Sequence, residues 1–338
     1  MPGLDALAGQ EDMVRALRRD LAAGRRAHAY LFEGQAGTGR LAMARAWAAE
    51  NWCQDPAGGG CGTCRPCRLL AQGRHPDYCE LPRGRREIGL AHFSGEAAAT
   101  RSDPVDHPPV LPFLRMRPVE APFRVVVVPD AERLRGEPAN AFLKTLEEPP
   151  GGALILLTAG ARDRLPATVV SRCRRVPVRP LPGGLLAAEL RRRAPPDRTD
   201  ADLADLAALA EGSLGFALAL LGDGGALEEW RWLSRAFGEV LERPGDARAY
   251  ALARGLAARL PPAGAGGQAP RRVAAAALLD RCVLWLRGTL RDRRTDPRAA
   301  WRALEAAANA GLRLSANVNP ELTLVSAGLE MASAFQET

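Results

Sequence analysis

The sequence predicts a parallel α/β domain followed by an all-helical region. A glycine-rich loop at Gly34–Leu41 stands between a short apolar run, Ala29–Phe32, and an alanine-rich helical segment, Leu41–Glu50. Two further apolar runs, Val125–Val128 and Ala153–Thr158, are typical of strands buried on both faces of a sheet. Because strands alternate with helices, we expect a parallel sheet whose ligand-binding edge lies at the carboxyl ends of the strands.

The rest of the chain is predicted to be helical. Val176–Val178 is the last segment with the pattern of a strand. The domains are predicted at residues 1–178, 179–222 and 223–338. The helices of the last domain are predicted at about 226–243, 246–260, 271–292, 297–312 and 320–336. Residues 83–109 are rich in Arg, Gly, Pro and Asp, which predicts an exposed and partly disordered insertion.

Composition limits the class of protein without indicating its ligand. The net charge of +7 would suit a nucleic-acid partner, but Lys144 is the only lysine and the arginines are interspersed with acids. Charge alone therefore does not predict DNA binding. No apolar run approaches the roughly eighteen residues of a membrane span, and the first residues lack the pattern of a signal peptide. We therefore expect a cytoplasmic protein with no membrane partner.

The glycine-rich loop has the glycines of a phosphate-binding loop but lacks its catalytic side chains. Gly34, Gly37 and Gly39 fit the pattern G-x-x-x-x-G-K-[S/T]. Arg40 stands where that pattern has Lys, and Leu41 stands where it has the hydroxyl that holds Mg²⁺. The three glycines and Arg40 are therefore predicted to form a degenerate nucleotide loop, and whether this chain binds ATP is left open.

An acidic residue follows the valine run, where a Walker-B carboxylate would orient Mg²⁺. That residue is Asp130, but the next position, which would hold a water-activating Glu, is Ala131. Glu132 lies one residue further on and is expected to point away. The loop Lys, the hydroxyl and this Glu are missing together, so the sequence predicts no intrinsic ATPase activity. The alternative role for Asp130 is to cap a helix.

Four of the seven cysteines are bunched between residues 53 and 67 with the spacing C-x₇-C-x₂-C-x₂-C. They are Cys53, Cys61, Cys64 and Cys67. Four thiolates form a closed tetrahedral site with no open position for water, which predicts a structural Zn²⁺ rather than a catalytic one. The alternative is four reduced thiols in a loop that tolerates cysteine.

Arg172 lies in the sequence Ser171-Arg172-Cys173, a loop and a short helix after the second buried strand. In an arginine-rich chain a single Arg is most often solvated or packed. At the edge of an α/β domain, however, it could enter a nucleotide site on an adjacent subunit. A planar, permanently charged guanidinium is suited to stabilising a transferring phosphoryl group.

Several segments together resemble the bacterial clamp-loader AAA+ subunits. They are Pro138–Pro150, Leu157-Thr158, Ser171–Cys173, Asn317–Leu322 and the four-cysteine segment after the loop helix. The motor subunits of that family, gamma and tau, keep an intact loop and an Asp-Glu pair, which Arg40, Leu41 and Ala131 break here. They also carry a sensor-2 Arg where this chain has Gly215. The chain thus resembles a non-hydrolysing member of the family.

The resemblance implies an α/β AAA+ module, made of a parallel P-loop NTPase-like domain and a small helical lid, followed by an all-α collar. It implies that Arg172 is an arginine finger that acts in trans, and that Thr158 matches sensor 1. The implied partners are the gamma/tau motor subunits and the delta subunit in a hetero-pentameric ring. Through that complex the chain would help to load a sliding clamp on primed DNA.

Two other functions remain open on the sequence alone. One is an active AAA+ motor in which Arg40 replaces the loop Lys, since Arg keeps the charge although its fork is bulkier. The other is a stand-alone zinc-containing DNA-binding protein, for which we find no interleaving of aromatic and basic residues.

Overall fold

A computed structural model describes the chain at residues 3–55, 59–83, 88–95, 107–134, 137–160, 165–222, 224–262, 268–291 and 293–336. The chain divides into two compact units. The first comprises Met1–Glu189 and Gly212–Phe216, and the second comprises Leu190–Glu211 and Ala217–Thr338. The predicted lid, residues 179–222, supplies residues to both units, and the predicted domain boundaries stay a prediction.

A five-stranded, fully parallel sheet forms the centre of the first unit. Its strands are β1 (Ala29–Glu33), β2 (Tyr78–Glu80), β3 (Val125–Val128), β4 (Leu154–Ala159) and β5 (Arg174–Pro177), in the order β2-β3-β4-β1-β5. The predicted fold class is confirmed. The sequence prediction missed β2, because this strand is only three residues long and lies at the sheet edge, where it has few apolar residues.

Both faces of the sheet are covered, as the run of four valines predicts. Successive side chains of a strand point to opposite faces. Val125 and Val127 belong to the core beneath Trp47, whereas Val126 and Val128 belong to the core that contains Phe142. The helices of this unit are α1 (Glu11–Ala22), α2 (Arg40–Trp52), α3 (Arg65–Ala71), α4 (Leu90–Phe93), α5 (Val110–Arg115), α6 (Glu137–Glu147) and α7 (Ala167–Val170).

The predicted exposure of residues 83–109 is wrong at Ile88 and Phe93, whereas Arg83 and Pro108 are exposed as predicted. Ile88 and Phe93 are buried in the same core as Phe142, and the rings of Phe93 and Phe142 meet edge to face with centroids 5.2 Å apart. Local composition did not indicate this burial, because among the described residues of this segment only these two apolar side chains contact the core. Residues 84–87 and 96–106 lie outside the described residues.

The second unit is helical. Helices α8 (Gly183–Arg193) and α10 (Leu214–Leu221) each have residues in both units, and α9 (Asp200–Ala210) lies within the second. The remaining helices are α11 (Gly224–Glu242), α12 (Asp246–Ala257), α13 (Gln268–Arg291), α14 (Pro297–Ser315) and α15 (Pro320–Ser333), close to the predicted bounds. Their core is formed mainly by buried leucines and alanines, and it includes Phe237. Among the described helices, none has a long enough apolar stretch to cross a membrane.

Candidate functional site

The glycine-rich loop connects the carboxyl end of β1 to the first turn of α2. Gly37 and Gly39 have φ angles of 76° and 97°, a region that L-residues rarely occupy. Gly34 is required for a different reason, since a Cβ atom there would lie 2.2 Å from the carbonyl oxygen of Val178. The glycine spacing therefore imposes the shape of a phosphate-binding loop whether or not a phosphate binds.

Arg40 begins α2 and is nearly buried, with 8% of its surface exposed. Its Nη2 lies 3.6 Å from Oδ1 of Asp130. Burial lowers the pKa of Arg40, and the charges of Asp130 and Glu132 act in the opposite direction. The neighbouring Leu41 is buried in the apolar core, so this position offers no oxygen to a metal ion.

Asp130 and Thr158 meet at the carboxyl ends of β3 and β4. The backbone N–H of Asp130 donates to Oγ1 of Thr158 over 3.0 Å, and Thr158 is buried. Asp130 precedes a short 3₁₀ turn, Ala131–Arg133, but its side chain makes no capping hydrogen bond there. The sheet thus brings Asp130 and Thr158 to the same edge as the glycine-rich loop, as predicted.

The expectation that Glu132 points away from this edge is wrong. Oε1 of Glu132 accepts a hydrogen bond of 2.9 Å from the backbone N–H of Gly160, which directly follows β4. The expectation extended the alternating side-chain directions of strand β3 to Glu132. A 3₁₀ turn follows Asp130 instead, and it redirects the Glu132 side chain. Ala131, at the position of the water-activating Glu, is fully buried.

The segment Gly212–Phe216 covers the loop. The N–H of Gly215 donates to the carbonyl oxygen of Gly37 over 2.9 Å. A Cβ atom at Gly215 would lie 2.9 Å from that same oxygen. Gly215 therefore allows a close backbone contact that a larger residue would prevent. A cavity of about 210 Å³ remains at the loop, lined by Gly37, Gly39, Arg40, Arg45, Asp130 and Thr158 among others.

The four bunched cysteines form a compact cluster. Their sulfur atoms all lie within 4.8 Å of one another, a distance compatible with four ligands of one metal ion. Cys53 ends α2, whereas Cys64 caps α3 and Cys67 lies in its first turn. The cluster thus lies between the end of α2 and the start of α3. The cluster can bind a metal ion.

Hydrogen bonds to sulfur favour the thiolate state that a metal requires. The N–H of Cys64 donates to Sγ of Cys61, and the N–H of Cys61 donates to Sγ of Cys53. The Thr63 hydroxyl and the Cys64 N–H lower the pKa of Cys61 to about 6. Burial raises the pKa of Cys67 and so disfavours its thiolate, and a cation bound in the cluster would have to offset this cost. The donor set fits a divalent ion that prefers thiolates.

Arg172 lies at the other end of the sheet. It follows α7 and precedes β5, so it is near the amino end of that strand, whereas the loop follows the carboxyl end of β1. Its Nη2 contacts Oε1 of Glu147, and its Nη1 donates to the carbonyl oxygen of Thr168 over 3.0 Å. One third of its side chain remains exposed. The sequence analysis missed Glu147, because no local pattern connects residues 25 positions apart.

The parallel sheet, with a glycine-rich loop between β1 and α2, is that of an AAA+ module of the P-loop type. A family model described as "DNA polymerase III, delta subunit" matches residues 9–182, just over half of the chain. The chain therefore belongs to this family, and its predicted resemblance to the bacterial clamp-loader AAA+ subunits is confirmed.

Relatives of known class include two delta' subunits of DNA polymerase III. That of Pseudomonas aeruginosa is 39% identical over 199 residues, 59% of this chain and 57% of that protein. That of Escherichia coli is 36% identical over 201 residues, 59% of this chain and 55% of that protein. The chain thus spans just over half the length of these relatives.

More distant similarity extends to the motor class and to a solved fold. The tau subunit of Salmonella typhimurium is 34% identical over 168 residues, 49% of this chain and 24% of that protein. A crystal structure of a DNA polymerase III gamma subunit-related protein from Thermotoga maritima has a TM-score of 0.50 at 17% identity, over 96% of this chain and 98% of that one. The latter similarity supports the fold alone.

Proposed function

We propose that this chain is a non-hydrolysing, delta-prime-type subunit of the DNA polymerase III clamp loader, which organises the ring and supplies an arginine finger to a neighbouring ATPase subunit. The observation that carries the proposal is the separation of two features within one module. The chain's own loop lacks catalytic side chains, while Arg172 lies at the opposite end of the sheet, beyond reach of that loop.

Loss of hydrolysis follows from the chemistry of the loop. Phosphoryl transfer needs a loop cation that reaches the terminal phosphates, a hydroxyl on Mg²⁺ and a group that orients water. Arg40 is engaged with Asp130, Leu41 is buried in the core and Ala131 has only a methyl group. Glu132 does not replace the missing base, because its carboxylate is directed to the N–H of Gly160 and does not line the cavity at the loop.

The role of Arg172 follows from its position and charge. A guanidinium is planar, always charged and able to donate two parallel hydrogen bonds to a phosphoryl group. Its present partner, Glu147, is half exposed, so solvent already weakens their attraction. A nucleotide on an adjacent subunit would offer a stronger anionic partner. Loss of such a finger typically lowers the hydrolysis rate about 10³- to 10⁵-fold.

The partners of this proposal are the gamma or tau motor subunits and a delta subunit in a hetero-pentameric ring. Residues 223–338 would form the collar that joins the subunits, and residues 179–222 the lid. The sliding clamp and primed DNA would be contacted through the assembled complex. The relatives named delta' and tau support membership of this complex.

The cysteine cluster completes the proposal as a structural zinc site. Cys53, Cys61, Cys64 and Cys67 would hold Zn²⁺ in a closed tetrahedral set. Bound there, the ion would supply no catalytic chemistry and would cross-link the end of α2 to the start of α3. The fold of this segment would then depend on metal.

An active motor is the alternative with some support, because the chain also has relatives in the tau class. It would require Arg40 to leave Asp130 and bind a nucleotide, although Leu41 offers no hydroxyl to Mg²⁺. A stand-alone zinc-containing DNA-binding protein is the third candidate, and the sequence has no interleaving of aromatic and basic residues to support it.

ATP hydrolysis by purified subunits distinguishes these functions. The chain alone is expected to show no turnover above background, whereas its addition to gamma or tau with delta should create DNA-stimulated ATPase and clamp-loading activity. Turnover by the isolated chain at the rate of a motor subunit would contradict the proposal. Tight, salt-sensitive DNA binding by the isolated chain would instead favour the third function.

A further inference from the structure

A second group of metal-ligating atoms lies beside the edge strand β2, in addition to the four-cysteine cluster. Cys79 is the central residue of β2 and is buried, whereas His107 and Pro108 lie just before α5. Sγ of Cys79 is 3.9 Å from Nδ1 of His107 and 3.8 Å from the carbonyl oxygen of Pro108. That nitrogen and that oxygen are 2.9 Å apart. One sulfur, one nitrogen and one oxygen atom thus converge.

The three atoms are spaced as ligands of one ion. Zinc binds sulfur at about 2.3 Å, imidazole nitrogen at about 2.0–2.1 Å and oxygen at about 2.0–2.2 Å. Each observed separation is shorter than the two bonds that would span it, so one ion can contact all three atoms. Three ligands leave a position of a tetrahedral ion open, unlike a closed set of four cysteines.

A second histidine holds His107 in place. Nδ1 of His92 lies 2.8 Å from Nε2 of His107, and the two rings stack with their centroids 5.0 Å apart. His92 belongs to α4 and is buried. A histidine that binds a metal through one nitrogen usually donates its other N–H to a neighbouring acceptor, which fixes the tautomer and the orientation of the ring. His92 is placed to accept from Nε2 of His107, which leaves Nδ1 of His107 for an ion.

An ion can reach these atoms from a cavity of about 650 Å³. The cavity is lined by Cys79, His107, Pro108, Arg45 and Glu80, among others. The guanidinium of Arg45 would repel a metal ion, but it is paired with Glu80 over 2.5 Å. Its charge is therefore largely compensated, and the cavity can admit a cation.

The affinity of this group of atoms should be lower than that of the four-cysteine cluster. Burial raises the pKa of Cys79 to about 12, and the charge of Glu80 acts in the same direction. A bound cation would have to offset the cost of forming this thiolate. In the cluster, by contrast, backbone N–H groups donate to two of the sulfur atoms. A chain briefly washed with EDTA should therefore keep the ion of the cluster and lose this one.

We propose that Cys79, His107 and the carbonyl oxygen of Pro108 form a second, exchangeable site for a divalent ion of the zinc class, with His92 as a positioning residue. An ion bound there connects the edge strand β2 to the segment that leads into α5. Water from the cavity completes its coordination. The site goes beyond the proposed function and does not depend on it.

Titration of the full chain with Co²⁺ tests the proposal, because cobalt bound to a thiolate absorbs in the near ultraviolet. The four-cysteine cluster is kept in its zinc form, and the reducing buffer contains no thiol. One Co²⁺ per chain is expected to bind, with the absorption of a single thiolate ligand. Absence of binding up to about 1 mM free Co²⁺, the weakest affinity of interest, would overturn the proposal. Binding without the thiolate band would overturn it as well.

Variants of the ligands assign the band to this site. Cys79→Ser should abolish it, and His107→Gln should weaken cobalt binding at least about tenfold. Because His107 is partly exposed, its variant stays informative if Cys79→Ser fails to fold. Cys173→Ser is the matched control, since Cys173 is another thiol of the first unit and does not line the cavity. A band that persists in Cys79→Ser would place the cobalt at other thiolates and contradict the site.

Two substitutions of His92 test its positioning role. His92→Ala should weaken cobalt binding about 10- to 100-fold, as loss of such an outer partner does. His92→Asn keeps a hydrogen-bond acceptor and should lose less than about tenfold. Both variants should keep the thiolate band, because Cys79 remains a ligand. Equal affinities of the Ala variant and the unmodified chain would contradict the role of His92.

Discussion

The guanidinium of Arg172 is bound by its own chain, with Nη2 2.5 Å from Oε1 of Glu147. The two side chains remain 34% and 50% exposed, so their attraction is screened by water. Exposed ion pairs of this kind contribute about 0–1 kcal/mol. If Arg172 is an arginine finger, as we propose, a phosphoryl group on a neighbouring subunit could replace Glu147 as its partner at small cost.

Removal of the Glu147 carboxylate is expected to leave assembly intact and to raise ATPase activity of the reconstituted complex slightly. Because the lost pair contributes at most about 1 kcal/mol, Glu147→Gln should raise the rate less than about fivefold. Glu148→Gln is the matched control, since Glu148 is the next residue and is also exposed. Steady-state ATP hydrolysis on primed DNA measures both variants. A loss as large as that of Arg172→Ala would mean that Glu147 acts in catalysis.

Metal content tests the cysteine cluster directly. Elemental analysis should find one zinc ion per chain, and Cys64→Ser should remove it and lower the melting temperature, because α2 and α3 lose their cross-link. Cys282→Ala is the control, since Cys282 is a buried thiol of the second unit and should affect stability without affecting zinc. A Cys64 variant that keeps both its zinc and its melting temperature would contradict the site.

The close contact at Gly215 predicts opposite outcomes for two glycine substitutions. Gly215→Ala should destabilise the chain by about 1–3 kcal/mol, because its Cβ atom would press on the Gly37 carbonyl. Gly238→Ala should stabilise by about 0.5–1 kcal/mol, because Gly238 lies inside α11 with open space around it. Urea unfolding compares the two. Equal stability of Gly215→Ala and the unmodified chain would show that the loop is not closed by this contact.

Acid should selectively weaken the start of α9. The Asp202 carboxylate accepts the Thr199 N–H in a capping box and pairs with Arg231, which lowers its pKa to about 2. A carboxyl group whose pKa is lower in the folded chain stabilises fully above its unfolded pKa, near 4, and loses that contribution as the pH falls toward 2. Asp202→Asn should therefore be destabilising at pH 7, and the difference should shrink below pH 4 and disappear below about pH 2.

The pH dependence of unfolding by urea measures this effect, with Asp205→Asn as the control because it contacts Arg231 but leaves the capping box intact. Equal losses of stability in the Asp202 and Asp205 variants at every pH between 2 and 7 would show that the capping box has no such role.

Patterns that depend on neighbouring residues could be predicted from the sequence. Val125–Val128 was predicted as a buried strand to the residue, and the helices after residue 220 differ from prediction by a few residues at their ends. The clustering of the four cysteines could be predicted from their spacing, because short turns bring them together. These features could be predicted because they depend on the periodicity of apolar residues and on residues that form turns.

Features that depend on the folded context could not be predicted. The edge strand β2 owes its existence to pairing with β3, and Glu132 turns toward the loop edge only because a 3₁₀ turn follows Asp130. The contacts between Arg172 and Glu147 and between Gly215 and Gly37 join residues far apart in the chain. Nothing in the spacing of those residues indicates that they meet.

The most direct test of the central claim is the hydrolysis burst of the assembled complex. The complex should be reconstituted from the motor subunits, a delta subunit and this chain, with Arg172→Ala compared against Arg117→Ala and the unmodified chain. Assembly should be unchanged, while the site next to Arg172 loses about 10³- to 10⁵-fold in rate, so that the burst falls by one ATP per complex and clamp loading fails. A full burst with normal clamp loading by a correctly assembled Arg172→Ala complex would contradict the assignment of the arginine finger.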